Sequence, residues 1–291
     1  MSKKTDKLEQ EIEELGRDNI GKPIPEKITD WMINEGILAG SIIESAERLG
    51  QENSKTDVLI RLKESQAIKI SAKLANADYF GNWYGHERII NEFGIETFEL
   101  LSRKVTEWAN EWIKKPQAEL FVGVSVSFGA RSGETSVDFC DIFKSEDVLK
   151  IAKGVGTGDN VANALFVSNK CPSNIEDLFD NLQEINRDNI EKAVKDFKVI
   201  YRPINPMTDD SDRCKCVYTM FKPYKRQETE IVVDSVEKLR ELGEFVEIDW
   251  TKSYKMNHNR VLDMLKTCYN ISISRYGKEI PKTPKTKDDE A

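Results

Sequence analysis

The sequence predicts an α/β fold, a mixed central sheet flanked by helices. Val58, Ile60 and Leu62 alternate with Leu59, Arg61 and Lys63, and Ile68, Ile70 and Ala72 with Lys69, Ser71 and Lys73, the period of two that marks half-buried strands. Thr97 to Lys114 instead places Phe98, Leu101, Val105, Trp108 and Trp112 on one face at helical spacing. Strand-like runs at 120–128 and 197–202 are separated by helical stretches, as expected of a sheet with helices packed against it.

The chain has 291 residues, room for one large or two modest domains. Residues 1–25 read as an N-terminal amphipathic arm, in which Leu8, Ile12 and Leu15 form a short apolar stripe. The arm could pack on the body or pair with a second copy. Ile20-Gly21-Lys22-Pro23-Ile24-Pro25 breaks the chain. Glu26 to Leu49 then reads as a helix, with Trp31, Leu38, Ile42, Ala46 and Leu49 at helical spacing and Gly50 after it.

The stretch 54–74 reads as a hairpin. Lys63-Glu64-Ser65-Gln66 is polar and short enough for the turn. Folded about Ser65, the hairpin sets residue 57 opposite 73, 58 opposite 72 and 60 opposite 70. Val58, Ile60, Leu62, Ile68, Ile70 and Ala72 then share a core face, and Asp57, Ser71 and Lys73 share the other. A carboxylate and an ammonium meet at the open end, a scaffold suited to holding a divalent cation and a water near a phosphate. Taken alone, it reads rather as an ordinary edge hairpin with a surface Asp–Lys pair, and such pairs contribute little.

Beyond the hairpin, 74–86 is a Gly- and aromatic-rich loop. Glu87 to Glu92 and Thr97 to Lys114 read as helices, Leu120 to Phe128 as a strand. Val148 to Lys153 and Asn160 to Val167 flank Gly154-Val155-Gly156-Thr157-Gly158-Asp159, read as a loop opening a helix. That cluster lacks the Gly-Lys-Ser/Thr that would make a phosphate-binding P-loop. Pro172 to Phe197 reads as helical, Phe197 to Arg202 and Ile271 to Ile273 as strands, and Val261 to Leu265 as part of a helix. The expected organisation is a single domain over 26–277 with an insertion at about 87–197, and a disordered tail at 278–291.

Net charge is −8, which argues against coating nucleic acid by charge alone and leaves room for a local basic cleft. Arg213 to Arg226 is such a locality: Arg213, Lys215, Lys222, Lys225 and Arg226, no acid, and interleaved Tyr218, Phe221 and Tyr224. It reads as a nucleic-acid surface or as a strand with a solvated basic face. Five cysteines, an odd number, fit a reducing compartment, and Cys214-Lys215-Cys216 lacks the partners of a zinc site. No apolar run approaches membrane-spanning length. The expectation is a cytoplasmic protein with no membrane partner.

Ser54-Lys55-Thr56-Asp57, the strand after it, and Ile68-Lys69-Ile70-Ser71-Ala72-Lys73 resemble the core of the PD-(D/E)xK nuclease superfamily, most closely its type II restriction endonucleases. The resemblance covers the stretch 54–73. It implies a restriction-endonuclease-like core and Mg²⁺-dependent hydrolysis of double-stranded DNA. It assigns metal binding to Asp57 and Ser71, and places Lys73 where the family's lysine orients the attacking water. Thr56 stands where the family has its name-giving Pro, and Ser71 where it has an acid. Members often carry a Glu on the helix before the hairpin, and the resemblance points here to Glu44 rather than Glu47, because Ser41-Ile42-Ile43-Glu44 is the more apolar context. In the family the loop after the lysine approaches the substrate, which nominates Tyr79, Trp83, Tyr84 and His86 as DNA contacts. A homodimer would suit a palindromic target. The alternatives are a repair or phage nuclease of this fold without sequence specificity, and a DNA-binding or structural protein that kept the fold and lost cleavage, which the Ser71 departure favours.

Overall fold

The computed structural model describes residues 3–49, 54–75, 77–81, 83–131, 133–207, 214–251 and 255–273. The predicted tail at 278–291 lies outside them. The chain divides into two compact units, one formed by 1–81, 129–131 and 144–197, the other by 82–128, 132–143 and 198–291. Each is a mixed arrangement of strands and helices, and labels run in chain order through both.

The first unit is built on a five-stranded sheet in the order β1 (Ile43–Arg48), β2 (Val58–Leu62), β3 (Ile68–Lys73), β7 (Ala164–Val167) and β8 (Leu182–Glu184). Only β3 and β7 run parallel, pairing Ile70 with Ala164 and Lys73 with Val167. A parallel pair needs a crossover, and here everything from β4 (Tyr79–Gly81) to α5 (Asp147–Lys153) lies along that connection. The segment 144–197 therefore completes the hairpin's own sheet. This corrects the expectation of a single domain interrupted by an insertion at 87–197.

The hairpin forms as its alternation predicts, with its register moved by two residues. Val58 faces Ile70 and Ile60 faces Ile68, and the turn closes through Glu64, whose φ is 57°. A slide of two preserves side-chain parity. Val58, Ile60, Leu62, Ile68, Ile70 and Ala72 accordingly share the core cluster. Leu59 and Leu165 are also fully buried, so the sheet is covered on both faces.

Helix α1 (Lys3–Asp18) packs on that core through Leu8 and Ile12, both buried. It packs on the body, one of the two placements that the sequence left open. Gly16 is where it comes closest to β1: a Cβ there would lie 2.6 Å from the Cβ of Ala46. Burying two such aliphatic side chains stabilises the packed helix by roughly 1.5–3 kcal/mol each.

The predicted helix over 26–49 is replaced by a single turn and a half, α2 (Asp30–Asn34), followed by β1. Gly36 and Gly40 take φ of 81° and 69°, a left-handed backbone that ends the helix and turns the chain. Leu38, assigned to the apolar stripe, is exposed. The second helix expected after the Gly154–Asp159 loop is the strand β7. The region 172–197 holds α6 (Ile175–Asn181), β8 and α7 (Arg187–Ala193). Asn174 and Asn186 cap these two helices, each side chain accepting the N–H three residues on.

The second unit contains α3 (His86–Phe93) and α4 (Ile95–Trp112), joined at Gly94. Its sheet runs β12 (Gly243–Glu247), β10 (Thr219–Pro223), β5 (Gly123–Gly129), β9 (Lys198–Pro203) and β6 (Ser136–Asp138). A smaller parallel pair joins β11 (Ile231–Val233) to β13 (Ile271–Ile273), with α8 (Val236–Leu242) and α9 (His258–Tyr269) between them in sequence. Its core is aromatic: Phe98, Phe121, Phe128, Tyr218 and Phe221 are each almost fully buried. Among the described residues, no helix is long and apolar enough to cross a membrane.

Candidate active site

Asp57 sits one residue before β2, where β3 and Leu49, just past β1, hold its backbone and side chain. Its N–H donates to Ile70 O at 2.8 Å, and its carbonyl accepts from Leu49 N at 3.1 Å. The side chain lies across the start of β2 toward β3. There Oδ2 accepts from the backbone N–H of Ala72 at 2.8 Å, from Lys73 Nζ at 3.0 Å and from Ser71 Oγ at 3.4 Å. Among the described residues none donates to Oδ1, so this is the carboxylate oxygen left for a ligand. Asp57, Ser71 and Lys73 thus come together on one face, as strand parity requires.

Lys73 divides its ammonium between Asp57 and its neighbour's carbonyl, Ala72 O, at 3.1 Å. The Phe80 ring stands 6.0 Å from Nζ. Two of its three donors are thereby engaged, and one remains for a water or an anion. Ser71 is completely buried. Its hydroxyl points to the carboxylate it neighbours, so in this arrangement it supports Asp57 instead of standing in for a second acid.

Glu44 is exposed on β1, and a strand there, where a helix was expected, removes the reason for choosing it. Glu47 is exposed as well and pairs with Arg61 at 3.7 Å. A further carboxylate that sequence reasoning missed is Glu9 of α1, which pairs with Arg48 of β1. It is only 4 % exposed. Arg48 of β1 donates to Glu9 Oε2 at 2.8 Å and to Asp6 Oδ1 at 2.6 Å. Burial raises the Glu9 carboxyl above the ordinary carboxylate range. The negative charge of Asp57 adds to that rise, while Arg48, and more weakly Lys73, oppose it. Glu9 and Asp57 therefore feel one another's charge. The clue in the sequence was position: Glu9 follows Leu8 and precedes Ile12 by three, so it borders the buried stripe of its helix.

The loop after α5 lies beside these strands. Lys55 N donates to Asn160 O at 2.9 Å, Lys69 Nζ to Gly158 O at 3.2 Å, and Arg61 Nη2 to Asp159 Oδ2 at 2.7 Å. Asn163 holds the same edge, accepting from Lys69 N and donating to Ala67 O.

No three of His, Cys, Asp and Glu come together as a metal cluster among the described residues. Two carboxylates are a sufficient protein contribution for Mg²⁺, which keeps several waters and takes further oxygens from substrate phosphate. Asp57 Oδ1 is unengaged among the described residues, whereas Glu9 is buried and its Oε2 is held by Arg48.

The predicted DNA contacts separate into two groups. Tyr84 and His86 are core residues, 2 % and 3 % exposed, and cannot touch a substrate. The Tyr84 ring packs edge-on to Phe128, and His86 stands between Phe98 and Tyr218 with Nε2 donating to Val217 O at 2.6 Å. Aromatic residues in that loop were chosen by composition, and burial of large rings outweighs it. Tyr79 is half-buried, and its hydroxyl accepts from Arg131 at 2.9 Å. Lys222, Lys225 and Arg226 are exposed, and Lys215 is half-buried. Of the interleaved aromatics, Tyr218 and Phe221 are buried and only Tyr224 is on the surface. Arg213 lies outside the described residues.

The chain matches no protein-family model and is similar to no curated protein.

Proposed function

We propose that the first unit is a PD-(D/E)xK-type nuclease domain that hydrolyses DNA phosphodiester bonds with Mg²⁺. One observation carries this reading: Lys73 Nζ 3.0 Å from Asp57 Oδ2 at the open end of a strand pair, with the buried Glu9 in the same electrostatic field. In the first unit α1 and α2 precede β1, β2 and β3, and β4 and α5 intervene before β7, which runs parallel beside β3; the helix-then-hairpin start and the parallel neighbour support the restriction-endonuclease-like form of the α/β fold.

Asp57 and Glu9 would hold the metal, which when bound supplies an activated water and a counter-charge for the phosphate. Asp57 keeps Oδ2 toward the protein and presents Oδ1. Ser71 and the Ala72 N–H fix the rotamer of Asp57, so that the oxygen presented does not wander. The free donor of Lys73 orients the attacking water and offsets charge developing on the phosphate oxygens. Arg48 keeps Glu9 beside the site by countering the cost of burying its charge.

The second reading is a DNA-binding or structural protein on the same fold without cleavage. Two findings favour it: Ser71 in place of an acid, and the lack of a three-ligand cluster among the described residues. Nicking of supercoiled plasmid separates the two. Cleavage that requires Mg²⁺ and stops with EDTA supports the nuclease; DNA binding without nicking at any divalent ion supports the alternative.

A further inference from the structure

Between α4 and the strands β6 and β9 of the second unit lies a cavity of about 490 Å³, whose lining includes Lys104, Glu107, Trp108, Glu111, Asp141 and Tyr201. A volume of that order suits a small molecule more than a bare ion. Its aromatic walls meet at an angle: the ring centroids of Trp108 and Tyr201 are 5.2 Å apart, with 59° between their planes. Trp108 is fixed in place, its Nε1 donating to Glu134 O at 2.7 Å and its ring stacked on Trp112. Tyr201 is 1 % exposed, and its hydroxyl has no hydrogen-bond partner among the described residues. A buried phenol without a partner is uncommon and costs stability, and a bound group that shares its hydroxyl removes that cost. Burial raises the Tyr201 pKa, and the charges of Asp141 and Glu107 add to the rise, so both carboxylates lie within electrostatic range of the phenol.

The lining holds three carboxylates against one ammonium. Glu107 has Lys104 at 3.5 Å and Glu111 has Lys114 at 2.8 Å, both exposed pairs one helical turn apart. Such pairs contribute little, so a competing cation exchanges for them readily. Asp141 is exposed and has no ion-pair partner among the described residues. The face of an indole attracts an organic cation as well. Tyr201 narrows the choice, because its hydroxyl can accept from an N–H, which a quaternary ammonium lacks. A hydrated divalent metal gains nothing from the rings, and among the described residues no three of His, Cys, Asp and Glu come together as a metal cluster. The excess of carboxylates matches two ammonium groups carried on one aliphatic chain.

We propose that this cavity binds an aliphatic diamine or polyamine. One ammonium sits against the Trp108 ring and the Tyr201 hydroxyl, with Asp141 as its counter-charge. Glu107 and Glu111 meet the second. The site draws on the second unit alone and on no residue of the Asp57 site, so it stands whether or not the first unit cleaves DNA.

The test is isothermal titration calorimetry of putrescine and of spermidine into full-length protein at constant ionic strength, with thermal melts as a check on folding. The site variant is Asp141→Asn with Glu107→Gln. The charge control is Glu176→Gln with Asp180→Asn, two exposed acids of α6 whose loss changes net charge equally. One saturable binding event per chain is expected, weakened about tenfold or more in the site variant and unchanged in the control. Tyr201→Phe should bind several-fold more weakly and melt no lower than wild type, because it removes an unpartnered hydroxyl and keeps the ring. No saturable binding, or equal weakening in the site variant and the control, overturns the proposal. Tetramethylammonium bound as tightly as putrescine overturns the choice of an N–H-bearing cation, and undiminished binding by Tyr201→Phe removes the phenol from the site.

Discussion

Glu9 of α1 and Arg48 of β1 meet at 2.8 Å inside the first unit. The pair joins a helix whose packing the sequence left open to a strand that it marked as a helix. It also sets a second carboxylate in the field of Asp57. Three consequences can be measured on this one contact and its surroundings.

Glu9→Gln is expected to depress Mg²⁺-dependent cleavage steeply and to raise the Mg²⁺ concentration needed for half-maximal rate. Glu44→Gln should leave both unchanged, because Glu44 is exposed on β1. Nicking rates against Mg²⁺ concentration for the two variants decide it. A fully active Glu9→Gln protein removes Glu9 from the site.

Arg48→Met should cost stability even without substrate. The arginine is about a quarter exposed and Glu9 almost fully buried, so the variant leaves a buried carboxylate without its strongest partner. A charged hydrogen bond in such a place contributes about 1.5–3 kcal/mol. Urea unfolding of wild type and variant reads the difference. A loss below about 0.5 kcal/mol would mean that the clamp adds no more than an exposed ion pair.

Ile12→Ala distinguishes an integral helix from an arm. Ile12 is completely buried against the hairpin core, and removing such a side chain costs about 2–5 kcal/mol. A dispensable arm would leave the unfolding midpoint where it was.

His86 makes the second unit sensitive to acid. Burial lowers its folded-state pKa below the ordinary value near 6.5, only partly offset by its hydrogen bond to Val217 O. With the folded value depressed, the unfolded chain takes up a proton first as pH falls. Stability contributed here is complete above about 6.5 and is lost as pH falls toward the folded pKa. Denaturation midpoints measured from pH 7.5 to 5 should decline, and His86→Gln should flatten the decline. An equal decline in the variant assigns it to other groups.

The hairpin was legible because a period of two survives a slide of two. The register expected about Ser65 was off by that amount, yet every core residue and all of Asp57, Ser71 and Lys73 kept their faces. The helix over 26–49 failed for the converse reason. Trp31, Leu38, Ile42, Ala46 and Leu49 match a helical period by coincidence of spacing, and Gly36 and Gly40, both at positive φ, were the stronger signal. Glu9 was hidden among the other acids of a helix rich in them, and what singles it out is the distant strand carrying Arg48. Tyr84 and His86 were misjudged because a loop's composition does not say which of its rings turn inward.

The central claim is that the Asp57–Lys73 pair is a hydrolytic site. The measurement that bears on it most directly is Mg²⁺-dependent plasmid nicking by wild type and by Asp57→Asn, a variant that keeps the shape of the side chain and its place beside the Ala72 N–H. Nicking by wild type that EDTA abolishes, and none by Asp57→Asn at a thermal midpoint close to that of wild type, is the expected result. Nicking by Asp57→Asn at the wild-type rate, across limiting Mg²⁺, would contradict it.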